Sequence, residues 1–127
     1  MRKWLHARTW YLLGVALVLA VVYTSLAPAS DLPSVSLNDK AEHAIAYLLI
    51  AVWFGGLIER RHYRWLAVGL LVLGALIEVA QGLMSLGRTA DFFDWLADGA
   101  GVVIGIGACA AGLGQWVSWI ERRVRRA

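Results

Sequence analysis

Four apolar stretches alternate with short polar segments along this 127-residue chain, and the charges in those segments are sorted by sign. Of 12 Lys and Arg, 10 lie in the N-terminal tail, the second connection or the C-terminal tail: Arg2, Lys3, Arg8, Arg60, Arg61, Arg64, Arg122, Arg123, Arg125 and Arg126. Of 9 Asp and Glu, 7 lie in or near the first and third connections: Asp31, Asp39, Glu42, Glu78, Asp91, Asp94 and Asp98. Anionic lipid and the membrane potential hold basic segments on the cytoplasmic side. Four spans with this alternation put both termini in the cytoplasm and the acidic connections outside. Hydrophobic residues make up 60% of the chain, against about 45–50% in a soluble domain, so lipid is the expected solvent. The fold expected is an all-α membrane protein of the cytoplasmic (inner) membrane, a four-transmembrane-helix bundle forming one domain over residues 1–127.

Crossing the hydrocarbon takes about 20 apolar residues as a helix. The expected spans are 10–27, 40–57, 65–86 and 92–118, with the last helix continuing to about Ile120. Pro28 closes the first, and Ala27-Pro28-Ala29 after a basic start also resembles a secretory cleavage site; the proline and the length of the apolar run favour a retained span. Asn38 or Asp39 suits the N-cap of the second helix, and Asp91 that of the fourth. Gly101, Gly105, Ala108 and Gly112 form a small-residue stripe suited to close helix packing inside the bundle. Trp4, Trp10, Trp65, Trp116 and Trp119 fall near expected interfaces and read as belt anchors.

The net charge of +3 does not point to nucleic acid, because the basic residues flank apolar spans rather than forming one patch. The single cysteine, Cys109, excludes an intrachain disulfide and sits in an apolar, small-residue segment where packing is its expected role. No phosphate loop, dinucleotide fingerprint, CxxC or HExxH pattern is present.

The polar residues of the outer half converge in type and depth. Lys40, His43 and Tyr47 lie at the start of the second helix, with His43 and Tyr47 four apart on one face. Glu78 and Gln81 share a face of the third, Glu78 about two turns, or roughly 10–12 Å, below its end. Arg88, Asp91, Asp94 and Asp98 follow, the three acids forming one stripe. An ionised side chain at mid-membrane costs at least about 2.5–3.5 kcal/mol. Glu78 must therefore pair, stay neutral or face water, and one outward-opening pocket among helices two, three and four meets that need. Taken singly, each residue also has a structural reading: Lys40 and Arg88 as counter-charges, Asp91 as a cap, Tyr47 and His43 as interhelical contacts.

The order Asp39-Lys40-x-x-His43-x-x-x-Tyr47, Glu78-x-x-Gln81, Arg88-x-x-Asp91-x-x-Asp94-x-x-x-Asp98-x-x-Gly101 resembles the VanZ-like family of small bacterial membrane proteins, over residues 39–107. The chain departs from the family pattern at Asp98, where asparagine is usual, which adds a carboxylate. The resemblance implies a multi-span membrane protein. Its family is named for a protein linked to teicoplanin resistance, a connection that fold-level similarity does not transfer.

Three functions fit this pocket. The first is an enzyme or binding site for a membrane lipid or a lipid-linked cell-envelope intermediate. Arg88 and Lys40 would hold a phosphate, His43 and Glu78 would act as an acid–base pair, and Asp94 and Asp98 would polarise a hydroxyl or water. Lys40, Tyr47, Gln81, Arg88 and Asp91 are then binding residues. No nucleophile stands out: Ser85 and Thr89 are near but carry no signature. The sequence leaves the cofactor unknown; a divalent ion among His43, Glu78, Asp94 and Asp98 is compatible with the donor set but not favoured. The second is a non-enzymatic accessory protein using the same charges for recognition. The third, proton or ion conduction, is opposed by the lack of charge deep in the cytoplasmic half of any span.

Overall fold

The structure, a computed structural model, describes residues 5–27, 38–84 and 90–127. Five α-helices account for these residues: α1 (Ala7–Leu26), α2 (Asp39–Leu57), α3 (Tyr63–Met84), α4 (Phe92–Ala110) and α5 (Trp116–Arg126). Short 3-10 turns at Arg60–His62 and Leu113–Gln115 lead into α3 and α5. Among the described residues there is no strand. Three helical segments, Ala7–Leu26, Arg60–Met84 and Phe92–Ala110, are long and apolar enough to cross a membrane. They argue for a multi-pass membrane protein. So does the exterior: Leu83 and Val103 are 79% and 70% exposed, with Leu19, Leu76 and Ile104 also outward, where lipid rather than water would cover them.

The helix starts follow from local chemistry. Asn38 Oδ1 accepts the Ala41 N–H at 2.7 Å, capping α2, and Asp91 Oδ1 accepts the Phe93 N–H at 2.8 Å, capping α4. Each pairing satisfies one of the orphan donors at a helix N-terminus.

α2 is central. It packs most extensively on α4 and also touches α1 and α3. Tyr47, Ile50 and Ala51 of α2 join Leu70 of α3 and Val102 of α4 in the core. The α2–α4 approach depends on Gly101 and Gly105: a Cβ on Gly101 would strike the Ala44 carbonyl oxygen, and one on Gly105 would lie 2.8 Å from Ala51 Cβ. Cys109 is buried on the same helix pair, against Gly55. α1 is the least embedded, with Gly14 its one buried residue, under Trp53 and Phe54.

The fourth helix differs from expectation. It ends at Ala110 rather than running through 118 to Ile120. Gly112 adopts φ +132°, a conformation that favours glycine, and the chain turns before starting α5. Gly112 thus leaves the small-residue stripe and terminates it. α5 carries Arg122, Arg123, Arg125 and Arg126 exposed, with Trp119, Ile120 and Val124 half-exposed beside them and Val117 and Glu121 buried against the bundle. This is the pattern of a helix lying along a membrane surface.

The tryptophans also divide. Trp65 and Trp119 are exposed, as belt residues are, while Trp4 lies outside the described residues. Trp10 and Trp116 instead meet Trp53 in one cluster, with ring centroids 5.5 Å apart for Trp10–Trp116 and 4.8 Å for Trp53–Trp116. Their indole N–H groups are used internally, Trp116 to the Val52 carbonyl at 2.9 Å and Trp10 to Glu121 at 2.9 Å.

Candidate functional site

Six of the described acidic residues, Asp39, Glu42, Glu78, Asp91, Asp94 and Asp98, gather at the opposite end of the bundle from the tryptophan cluster. His43, on the first turns of α2, faces α4: its Nδ1 lies 2.8 Å from Asp98 Oδ1. With the carboxylate as acceptor, an Nδ1–H donates to it, and in the neutral ring Nε2 is then the acceptor. Nε2 points between Asp39 Oδ2 and Asp94 Oδ2, 3.8 Å from each. Asp98 is 1% exposed and Asp94 7% exposed. Asp98 fits because α3 has a glycine opposite it; a Cβ on Gly74 would sit 2.8 Å from Asp98 Oδ2.

Glu78 is one helical turn beyond Gly74 on the same face of α3 and is 6% exposed. Its Oε2 accepts the Asp91 backbone N–H at 2.9 Å, which joins the end of α3 to the start of α4. Its Oε1 is buried with no hydrogen-bond partner, and so is the hydroxyl of Tyr47. A buried polar atom left unpaired costs about 1–3 kcal/mol. Both lie at the acidic end of the bundle, where a hydrogen-bond donor or a cation would satisfy them.

Lys40 is already engaged. Its Nζ donates to Asp94 Oδ1 at 3.0 Å and Asp91 Oδ2 at 3.3 Å. The Asp91 carboxyl lies below the usual carboxylate range, held there by the Phe93 N–H first and by Lys40. Asp91 is therefore a cap and bridge, in line with its structural reading. Gln81 also turns from the pocket: its Nε2 donates to the Ser25 carbonyl at 2.7 Å, satisfying an orphan acceptor in the last turn of α1. Arg88, Ser85 and Thr89 lie outside the described residues. Of the expected site, His43, Glu78, Asp94 and Asp98 are brought together with Tyr47 behind them, while Lys40, Gln81 and Asp91 make structural contacts around them.

A cavity of about 110 Å³ opens beside His43, lined by Val21, Thr24, Ser25, Asp39, Glu42 and Ala46. One water needs about 10–15 Å³ of such space, so several waters or one small polar group fit, and a bulky head group does not. On the other side of the bundle a shallow depression reaches Glu78 and Asp91 past Trp95, and an apolar groove along Leu71, Leu96 and Val103 shares Trp95 with it. Sequence reasoning missed the contribution of α1. Thr24 and Ser25 carry no motif, and nothing local says that the end of α1 closes the cavity over His43. It also missed Gly74, whose spacing of four from Glu78 was the available signal.

The chemistry follows from the charges. Asp39, Glu42, Glu78, Asp91, Asp94 and Asp98 surround one imidazole and one ammonium among the described residues. Such an end attracts cations and hydrogen-bond donors such as hydroxyls and amines. With Lys40 held by two aspartates, it offers no free described cation to a phosphate. An imidazole oriented by a buried carboxylate, with its other nitrogen at a cavity wall, has the arrangement of a general base acting on a water or hydroxyl.

No family model matches this chain, and neither a curated protein nor a solved structure shows significant similarity to it.

Proposed function

We propose that the chain crosses the cytoplasmic membrane four times, with both termini inside, and that its acidic end binds or acts on the head group of a lipid or lipid-linked cell-envelope component. α2 is the fourth span in this reading. It is 19 residues long and lies at the centre of the bundle, and its polar first turn is what sets it apart from the other three. The segregation of charge supports the orientation. The VanZ-like resemblance belongs to the same proposal and rests on the motif residues Asp39, Lys40, His43, Tyr47, Glu78, Gln81, Arg88, Asp91, Asp94 and Gly101, with Asp98 the departure from the pattern.

One observation carries the site: His43 is fixed by Asp98 at 2.8 Å while the same ring lines a cavity. The cavity admits a hydroxyl, an amine or water, so the reacting or recognised group is the polar tip of a larger molecule whose apolar part stays in lipid. His43 would take a proton from that group through Nε2, and Asp98 would hold the ring and stabilise its charged form. Asp94 would orient the incoming donor.

The test is native mass spectrometry of wild-type protein, His43→Ala and Asp98→Asn, each exchanged into nanodiscs of total envelope lipid. A discrete adduct on the wild type that both variants lose, with helicity unchanged, is the expected result. The same adducts on all three proteins would overturn the assignment of the site. An adduct that is never turned over would retain the binding site and make the protein a non-enzymatic binder.

A further inference from the structure

Glu78 Oε1 is the observation that the head-group reading does not absorb. It is buried and unpartnered, yet its sister oxygen is held by the Asp91 N–H, so the carboxylate is anchored with one oxygen presented inward. One ligand atom each from His43, Glu78 and Asp98 lie within 4.8 Å of one another. They come from α2, α3 and α4, the three helices that form the core. We propose that His43, Glu78 and Asp98 bind one divalent first-row transition-metal ion.

The donor set points to that class. One imidazole nitrogen and two carboxylate oxygens suit Zn²⁺ or Mn²⁺, whereas Ca²⁺ and Mg²⁺ prefer oxygen alone. Bonds of about 2.0–2.2 Å put neighbouring ligand atoms on one ion roughly 3.0–3.4 Å apart, so the three side chains must adjust around it, with His43 and Asp98 already near that range at 2.8 Å. Glu78 Oε1 then gains the partner it lacks. The Asp91 N–H on Oε2 supplies the outer hydrogen bond that metal-binding carboxylates carry. The ion replaces the proton between His43 Nδ1 and Asp98 Oδ1, and that proton is released to solvent. Tyr47, whose hydroxyl is also unpartnered and lies in electrostatic range of Asp98 and Glu78, stands ready to hydrogen-bond a metal-bound water or to bind directly.

Charge supplies the second argument. Three buried carboxylates, Glu78, Asp94 and Asp98, surround His43, and Lys40 reaches Asp94 alone among them. In a membrane an excess of buried negative charge must be neutralised by protons or by a cation. An ion at this position neutralises the two carboxylates that Lys40 does not reach. This inference stands on the side chains themselves and does not require the amphiphile reading, although a bound cation would give an acidic pocket an attraction for an anionic head group.

The test uses full-length protein in detergent, stripped with chelator and titrated with Zn²⁺, Mn²⁺, Mg²⁺ and Ca²⁺ separately. Elemental analysis gives stoichiometry, and Co²⁺ substitution gives a visible spectrum reporting coordination. The expected result is one Zn²⁺ or Mn²⁺ per chain, with affinity lowered at least about tenfold in Glu78→Gln and Asp98→Asn, unchanged in His62→Ala, and little response to Mg²⁺ or Ca²⁺. No stoichiometric binding to folded wild type would overturn the proposal whatever the variants do, as would equal affinity in folded Glu78→Gln. If Glu78→Gln fails to fold, His43→Gln at the partly exposed position gives the same comparison. Metal binding without any lipid adduct would sustain this site and sink the head-group reading, and the converse would separate them in the other direction.

Discussion

Glu121 on α5 accepts the indole N–H of Trp10 on α1 at 2.9 Å, across 111 residues of sequence. The same carboxylate accepts the backbone N–H groups of Leu5 at 2.8 Å and His6 at 3.0 Å. α1 has no capping side chain of its own and no acid in its first turn. Its N-terminus is capped by a residue from the far end of the chain, where an anion also meets the positive end of the helix dipole.

Glu121→Ala therefore leaves three part-buried donors without this acceptor. The expected loss is about 1–3 kcal/mol, read as a lower unfolding temperature in detergent, with faster hydrogen exchange confined to α5 and the start of α1. Unchanged exchange there would show that the latch does not hold the two helices together.

The latch should also respond to acid. Burial pushes the Glu121 carboxyl up, and the N–H groups of His6, Leu5 and Trp10 outweigh it, holding the group below its ordinary value. A carboxyl lowered by folding contributes stability that is complete above its unfolded value, roughly 4.3, and is lost as pH falls through the lower folded value. Trp10 fluorescence should hold steady from neutral pH to about 5 and change below about 4, and in Glu121→Gln that transition should vanish.

Gly74→Ala should disturb the site without touching a polar residue. The new Cβ would lie 2.8 Å from Asp98 Oδ2 and 3.2 Å from Trp95 Cδ1, and Asp98 is pinned by His43. Overpacking of this kind costs about 1–3 kcal/mol. Gly69→Ala, on the same helix with open space around it, should be neutral. Equal thermal stability of the two variants would refute the close fit of α3 over Asp98.

Membrane topology can be read by cysteine labelling in a Cys109→Ala background. An impermeant thiol reagent on intact cells should label Asn38→Cys, and should label Arg61→Cys and Arg126→Cys only after permeabilisation. Labelling of Asn38→Cys and Arg61→Cys from the same side would remove α2 as a span.

The sequence alone determined the helices and their polar faces, because both depend on neighbours within a turn or two. Apolar length located α1 to α4, Asn38 or Asp39 and then Asp91 announced two helix starts, the structure choosing Asn38 for the first, and spacings of three and four put His43 beside Tyr47 and Asp94 beside Asp98. It also over-read one helix: an apolar run through Gly112 looked continuous, and only the backbone conformation at that glycine shows α4 ending and α5 beginning as a separate helix. Partner choice was decided by tertiary structure. That Lys40 engages Asp91 and Asp94, that Gln81 reaches α1, that Glu78 keeps one oxygen unpaired and that Glu121 caps α1 all depend on how the helices are rotated and how closely they approach. Gly101, Gly105 and Gly74 set those distances by what they lack. The absence of a side chain has no periodicity of its own, and its meaning appears only when the facing helix is in place.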